Sequence, residues 1–180
     1  MPEKSPFAVP GFQFELQKLA FIALGSNLGD PKQNVVQAMD RLQELSDFPL
    51  LRSSLWQSTP VDCPPGSPLF INAVVGLLPR VSATPESLLD QLQGLELEFG
   101  RRPKTVRNEP RPLDLDLIAF RQELRDSEHL TLPHPRARQR RFVLQPLSEI
   151  AADLILPGQS LSVRQLLETL DSSERVLRLS

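Results

Sequence analysis

The sequence has 180 residues, of which 40% are hydrophobic and 23% are charged, so it can bury one core and is short for two domains. Its net charge of −2 argues against a bulk attraction to nucleic acid or to an anionic membrane. The single cysteine excludes an intrachain disulfide, and the start of the chain lacks the layout of a secretory signal. We therefore expect one cytoplasmic domain with no membrane-spanning segment.

The chain begins with a predicted tail, followed by a strand and a helix. Residues 1–17 contain proline and lysine without a settled periodicity, and we interpret them as a flexible tail before a single domain of residues 18–180. The apolar run from Leu19 to Leu24 predicts a strand that is buried on both faces. Asp30 and Pro31 are typical of a helix start, because aspartate caps the helix and proline suits its first turn.

The rest of the chain completes an alternating pattern. Strands are predicted from Leu51 to Gln57, from Phe70 to Leu78 and from Leu113 to Phe120, with a helix that begins at Thr84 before the last of them. This order of strand, helix, strand, strand, helix, strand predicts a ferredoxin-like α+β sandwich, an antiparallel sheet with helices packed on one face. Beyond it we predict an irregular basic stretch, residues 133–141, and a final helix at about 161–170.

Two aspartates alternate with leucines in the last predicted strand. Residues two apart project to the same face of a strand, so Asp114 and Asp116 point one way while Leu113, Leu115 and Leu117 point into the core. Two adjacent carboxylates repel each other unless a cation or an acid–base task compensates them, and they can share Mg²⁺. An edge strand with its acidic face in solvent would give the same pattern.

Basic residues cluster on both sides of this strand. Five cations and one anion lie between Arg101 and Arg111, and four cations lie between Arg136 and Arg141. Guanidinium groups match phosphate oxygens, and a metal flanked by arginines is the arrangement that phosphoryl transfer needs. The two basic loops therefore favour a local anion site beside the carboxylates, although a solvated basic loop is the simpler alternative for either one alone.

Several sequence blocks resemble the 6-hydroxymethyl-7,8-dihydropterin pyrophosphokinase family of folate biosynthesis. They are Gly25 to Gly29, Asn72, the Arg-Pro-Leu-Asp-Leu-Asp block at 111–116, the Leu-Pro-His-Pro block at 132–135, and Phe142, Pro146 and Leu147. The likeness covers residues 19–158 in order. It implies the ferredoxin-like fold, ATP with Mg²⁺ as the diphosphate donor, the reduced pterin as the acceptor, and release of AMP. We expect these small-molecule partners, no nucleic acid and no membrane, for a monomer.

The resemblance also implies roles for individual residues. The expected catalytic residues are Asp114 and Asp116, which would hold two Mg²⁺ ions, and the phosphate-contacting Arg101 and Arg111. The other expected ATP contacts are Gln93, Glu96, Leu117, Thr131, His134 and Arg140. The expected pterin contacts are Ser58, Val61, Asn72 and an aromatic pair around the ring, Phe70 and Phe142.

Some positions depart from the family pattern, and two other functions stay open. Asn108 and Glu109 stand where Trp and Gly are usual, and Pro103 replaces an arginine. These departures bear on the turnover rate and would suit a relative that binds nucleotide or pterin without turnover, which an assay of AMP would reveal. A ferredoxin-like nucleic-acid binder would place the arginines on a phosphate backbone, but the two aspartates would repel that backbone.

Overall fold

A computed structural model describes residues 15–103 and 105–180. In chain order its elements are β1 (Ala20–Ser26), α1 (Pro31–Gln43), β2 (Leu51–Arg52), β3 (Trp56–Ser58), β4 (Phe70–Leu77), α2 (Pro85–Glu98), β5 (Asp114–Phe120), β6 (Arg125–Asp126), β7 (Thr131–Leu132), α3 (Arg141–Ala151), α4 (Val163–Thr169) and β8 (Val176–Arg178). Most of the predicted tail, residues 1–14, lies outside the described residues. The end of that tail enters a 3-10 turn at Leu16–Lys18, and Leu16 packs against the core.

The main sheet is antiparallel and has the strand order β5, β1, β4, β3, β8, with β2 also paired to β4. The first four strands in this order give the ferredoxin-like arrangement, so the predicted fold is confirmed. The register places Gly25 of β1 between Asp114 on one side and Asn72 on the other. The missing side chain of Gly25 leaves room there, since a Cβ atom would lie 3.4 Å from the Asn72 Oδ1.

Hydrophobic clusters cover both faces of this sheet. On one face α1 and α2 bury Val35, Leu42, Leu88 and Leu92 against the leucines of β5, as the prediction of helices on one face requires. On the other face α3 and α4 cover part of the sheet with their own apolar residues, which include Val143, Leu144, Leu147 and Val163. Each fully buried aliphatic side chain contributes about 1.5–3 kcal/mol, so both faces stabilise the sheet. The prediction did not include α3, whereas α4 corresponds to the final helix predicted at about 161–170.

Helix starts follow the capping residues seen in the sequence, with one exception. The Asp30 side chain accepts a hydrogen bond from the Gln33 backbone N at 3.1 Å, and Thr84 and Ser87 form a reciprocal capping box. The exception is α3, whose N-cap residue is Arg140 and which has no side-chain cap of its own and no acidic residue in its first turn. Its first turn must therefore be satisfied from elsewhere in the chain.

The strand that was predicted from Leu51 to Gln57 is divided in two. Between its halves, the Ser53 backbone N donates to the Val74 carbonyl at 3.0 Å, and the Ser53 Oγ accepts from the Val74 N at 2.9 Å. The next residue, Ser54, bonds through its N and Oγ to the Glu149 carboxylate of α3, which also accepts from the Trp56 indole. These polar bonds replace the regular ladder and attach the edge of the sheet to α3. Across residues 15–103 and 105–180, no helix combines the length and apolarity needed to cross a bilayer.

Candidate active site

A cavity of about 700 Å³ opens where β1, β4 and β5 approach the start of α3. This volume lies in the range of small-molecule sites. All five predicted pterin contacts line it, as do the two aspartates and six of the eight predicted ATP contacts, namely Gln93, Glu96, Arg101, Arg111, His134 and Arg140. The remaining two lie outside its wall: Leu117 is buried in the core, and Thr131 is exposed on the small β6–β7 hairpin.

The two aspartates of β5 face this cavity, while the leucines that alternate with them belong to the core on the opposite face. The predicted alternation is therefore present. Arg101 Nη1 donates to Asp114 Oδ1 at 3.0 Å, and Arg111 Nη1 lies 3.5 Å from the same oxygen. Arg140 Nη1 lies 3.8 Å from Asp116 Oδ2. Three arginines thus surround the carboxylate pair, and they are placed to contact phosphate oxygens as well.

Buried neighbours fix the two arginines on the loop before β5. Glu96 of α2 is 5% exposed and forms an ion pair with Arg101, whose backbone N also donates to the Glu96 carbonyl at 3.1 Å. The Arg111 backbone N donates to the Asn27 Oδ1 at 2.9 Å, and the Arg111 carbonyl accepts from the Asn27 N at 3.2 Å. Asn34 of α1 adds a bond from its Nδ2 to the Pro112 carbonyl at 3.1 Å.

These bonds give the Gly25–Gly29 segment a role that sequence reasoning missed. Asn27 lies nearly buried and binds both backbone groups of Arg111. It therefore sets the position of the arginine that leads into the acidic strand. The local signal for this role is an asparagine between two glycines. Once such an amide is buried, it requires hydrogen-bond partners.

One carboxyl of the pair, that of Asp116, has an unusual pKa. The pKa of Asp116 is raised to about 6, first because burial disfavours the charged form and second because Asp114 is negatively charged beside it. Arg140, Arg111 and Arg101 oppose this rise. A bound cation would favour the charged form of both carboxylates, so the pair is suited to a metal that takes oxygen ligands.

His134 faces the same pair but stays neutral near pH 7. Its pKa is lowered to about 4 because burial and the positive charges of Arg140 and Arg136 disfavour the imidazolium. The His134 Nδ1 accepts a hydrogen bond from the Arg136 backbone N at 3.2 Å, which leaves the proton on Nε2. That nitrogen lies 3.9 Å from Asp116 Oδ1. The imidazole is therefore a neutral hydrogen-bond donor that points into the cavity.

The raised pKa of Asp116 predicts how stability depends on pH in the protein without metal and nucleotide. The folded carboxyl holds its proton more tightly than the unfolded one, whose pKa is near 3.8. The protonated carboxyl therefore stabilises the fold fully below pH 4, and this stabilisation is lost as the pH rises through 6. We expect Asp116→Asn to be more stable than the wild type at pH 8 by on the order of 1–2 kcal/mol and nearly equal at pH 4. Urea unfolding at both values measures this difference. Asp126→Asn, at an exposed position on β6, is the control, and an equal effect of Asp116→Asn at both pH values would contradict the assignment.

The wall of the cavity also contains aromatic and amide side chains. Phe70 of β4 and Phe142 of α3 both line it, and Asn72 and Ser58 are 3% and 2% exposed between them. The Asn72 Nδ2 donates to the Ser58 Oγ at 2.7 Å. Because this bond uses the amide nitrogen, the Asn72 Oδ1 is left as a fixed acceptor. Val61, the fifth predicted contact, lies on the loop between β3 and β4.

Residues without a predicted role complete the wall. The Asn108 Nδ2 donates to the Asp62 carbonyl at 2.8 Å and so joins the basic loop to the loop that carries Val61. Asn108 has a φ of +55°, which asparagine tolerates better than most residues. Cys63 also lines the cavity, and burial raises the pKa of its thiol, which does not favour a nucleophilic thiolate. Glu174, from the C-terminal segment, also lines the cavity.

The fold and the cavity together suit the binding of a metal ion and of phosphate groups. No group of three or more His, Cys, Asp or Glu residues that could hold a metal is found among the described residues. Two carboxylates suit Mg²⁺, however, because this ion commonly takes one or two protein carboxylates and completes its shell with water and substrate phosphates. The surrounding arginines suit the same phosphates.

Comparison with known proteins identifies the family. The family model described as 7,8-dihydro-6-hydroxymethylpterin-pyrophosphokinase (HPPK) matches residues 21–152. The 2-amino-4-hydroxy-6-hydroxymethyldihydropteridine pyrophosphokinase of Pseudomonas aeruginosa is 41% identical over 138 residues, which are 76% of this chain and 83% of that protein. The Haemophilus influenzae protein of the same name is 40% identical over 143 residues, 79% of this chain and 87% of that protein. The chain therefore belongs to the 7,8-dihydro-6-hydroxymethylpterin-pyrophosphokinase family.

Solved structures support the fold. A chain described as HPPK-DHPS in complex with substrates superposes with a TM-score of 0.64 at 10% identity. The superposed part covers 84% of this chain and 43% of that chain. A Plasmodium falciparum HPPK-DHPS triple mutant with STZ-DHP gives a TM-score of 0.64 at 12% identity and covers 83% of this chain and 42% of that chain. This chain thus spans less than half of the length of these solved chains. At such identities the likeness concerns the fold alone.

Proposed function

We propose that this chain transfers the diphosphate group of ATP to the hydroxymethyl group of 6-hydroxymethyl-7,8-dihydropterin, with release of AMP, as a step of folate biosynthesis. One observation carries the proposal: the acidic pair with its arginines and the aromatic amide-lined pocket open onto a single cavity. A phosphate chain bound by the arginines and a planar ring bound by the aromatic side chains would then lie side by side in the same cavity.

In the proposed reaction the hydroxymethyl oxygen of the pterin attacks the β-phosphorus of ATP in line. A new oxygen–phosphorus bond forms, the bond from the β-phosphorus to the oxygen bridging it to the α-phosphorus breaks, and AMP leaves with that oxygen. The hydroxyl proton passes to solvent. Arg101 and Arg111 offset the charge that develops on the phosphate oxygens, and neutral His134 donates a hydrogen bond to one of these oxygens. No side chain needs to form a covalent bond with the phosphate.

We further propose that Asp114 and Asp116 hold two Mg²⁺ ions together with ATP. When bound, the ions supply positive charge to the phosphate oxygens of donor and product. The carboxylates are positioned for this role by the ladder between β1 and β5, which pairs Gly25 with Asp114 and Ala23 with Asp116. A small or absent side chain at both β1 positions leaves the carboxylates open to the cavity.

The polar edge of the pterin is proposed to bind at Asn72. Its Oδ1 is a fixed acceptor because the amide nitrogen is held by Ser58, and the amino and ring N–H groups of a pterin are donors. Phe70 and Phe142 line the cavity beside this amide and are proposed to stack on the two faces of the ring. We also expect the enzyme to act as a monomer in the cytoplasm, which sedimentation and cell fractionation would test.

Measuring AMP with and without the reduced hydroxymethylpterin tests the proposed function. We expect AMP to appear only when ATP, Mg²⁺ and the pterin are all present, in a one-to-one ratio with pterin diphosphate. A chain that binds both substrates without turnover, as the departures at Asn108 and Pro103 could allow, would show binding by calorimetry but no AMP. Release of ADP in place of AMP would contradict diphosphate transfer.

A further inference from the structure

The C-terminal segment, residues 171–179, returns to the cavity although it lies beyond residues 21–152, which the family model matches. It contributes β8, which forms the edge of the main sheet beside β3. Glu174, just before β8, lines the cavity together with Ser58 and Phe142. One short segment therefore reaches both the β3 wall and the α3 wall of the cavity.

The segment is attached to the β3 wall by backbone pairing. In the ladder between β3 and β8, Ser58 pairs with Val176. The Thr59 backbone N donates to the Arg175 carbonyl at 3.2 Å, and the Arg175 N donates to the Thr59 Oγ1 at 3.3 Å. These bonds continue the ladder to the point where the chain turns toward Val61. They fix Glu174 relative to the wall that holds Ser58 and Asn72.

The same segment is attached to the α3 wall by one carboxylate. The Glu174 Oε2 accepts a hydrogen bond from the Arg141 backbone N, the first residue of α3, at 2.6 Å. Arg141 in turn donates from its Nη2 to the Leu170 carbonyl at 3.2 Å. Arg140 precedes α3 and Arg141 begins it, and the helix has no side-chain cap of its own. The positive N-terminal end of α3 therefore lacks an anion within the helix. Glu174 supplies that anion from a distant part of the chain.

The start of α3 carries side chains that line the cavity. Phe142 is the second residue of the helix, and the Arg140 guanidinium lies 5.5 Å from the centre of the Phe142 ring. Arg140 also lies 3.8 Å from Asp116. A shift of the first turn of α3 would therefore move the Phe142 ring relative to Phe70, which belongs to a strand of the sheet.

We propose that Glu174 is a positioning residue for the pterin: by capping α3 from the β8 edge strand, it sets the spacing between Phe142 and the β3–β4 wall. This role rests on the proposed function, because it assigns Phe142 to the ring of the acceptor. Glu174 contacts the backbone of α3 and acts on the substrate through Phe142.

Steady-state kinetics of three full-length variants test the proposal. In Glu174→Ala the cap is lost, and we expect the KM for the pterin to rise roughly 3- to 20-fold, a size within the about 0.5–2 kcal/mol that a helix cap contributes. The KM for ATP should rise less, because Arg140 is the one expected ATP contact at this turn, and the kcat should change less than about twofold. Glu174→Gln keeps an acceptor for the Arg141 N–H and loses the charge, so its KM should lie between wild type and alanine. Asp171→Ala is the control, since Asp171 is exposed on the same segment and its carboxylate makes no hydrogen bond or ion pair with residues 15–103 or 105–180.

The outcomes separate this role from a general structural one. A pterin KM that rises in the order wild type, Gln, Ala supports the positioning role, and Asp171→Ala should behave as the wild type. Unchanged pterin KM in both Glu174 variants, or a fall in kcat with equal changes in both KM values, would overturn it. If Glu174→Ala does not fold, the Gln variant decides by the same criteria. Absence of AMP in the wild type would instead contradict the proposed function.

Discussion

Replacing Asp114 or Asp116 by alanine abolishes turnover, with an expected loss of at least about 10³-fold, while the apo protein keeps its fold. Each change removes one of the two carboxylates that face the cavity and are proposed to hold Mg²⁺ against the ATP phosphates. A loss of several kcal/mol of charge stabilisation corresponds to this factor, since each 1.36 kcal/mol is about tenfold in rate. The fold should persist because the side chains face the cavity, whereas the strand is held by Leu113, Leu115 and Leu117.

Production of AMP at saturating Mg²⁺ measures this loss, and circular dichroism monitors the fold. Asp126→Ala is a matched control, since Asp126 is an exposed aspartate on a different strand. We expect it to keep wild-type turnover. Near wild-type activity in either the Asp114 or the Asp116 variant would remove metal-assisted catalysis from this site and would leave the basic loops as its only phosphate contacts.

The regular part of the fold could be predicted because its signals are local. Each of these signals predicts its element from a few neighbouring residues. They are the apolar run from Leu19 to Leu24, the caps at Asp30 and Thr84, and the alternation of Leu and Asp in β5. The order of these elements then leaves few topologies, because short connections favour neighbouring antiparallel strands. The same alternation placed both aspartates on the face opposite the leucines.

Helix α3 was missed because its signals conflict. Phe142, Leu144, Leu147, Ile150 and Ala151 include helical spacings, and most of them pack against the sheet. Pro146 lies inside this helix and argues against it, since proline removes a backbone donor. The helix also lacks a capping side chain at its N-terminus, because its cap comes from Glu174, 33 residues away. Such a nonlocal cap leaves no local pattern in the sequence.

Residues that line the cavity were easier to predict from the sequence than the residues that position them. Charge and aromatic character mark Arg111 or Phe142 directly in the sequence. The bonds from Asn27 to Arg111 and from Asn108 to Asp62 join segments that are distant along the chain, and asparagine is common in plain turns. Only the folded chain shows that these amides hold the walls of the cavity.

We expect Mg-ATP to bind before the pterin and to raise the pterin affinity by a factor of roughly 5 to 150, the usual range of coupling between two sites. The reason lies in the two basic loops, residues 101–111 and 133–141, which carry nine of the twenty lysines and arginines. Without nucleotide we expect the excess positive charge of the loops to make their arginine side chains repel one another, because Glu96, Asp114, Asp116 and Glu109 are too few to balance it. The phosphates of ATP bring the missing anions.

The bond from Asn108 to the Asp62 carbonyl is the structural link that makes this coupling specific. It joins the arginine loop to the loop that carries Val61, so we expect a shift of the first loop on phosphate binding to shift the wall beside Val61 with it. Calorimetric titration of a pterin analogue, with and without Mg²⁺ and a non-hydrolysable ATP analogue, measures the coupling. In Asn108→Ala we expect ATP to bind as in the wild type and its effect on pterin affinity to shrink. Equal pterin affinities in the two wild-type titrations would mean that the pterin site is preformed and that the basic loops, including Asn108 and Glu109, serve phosphate binding alone.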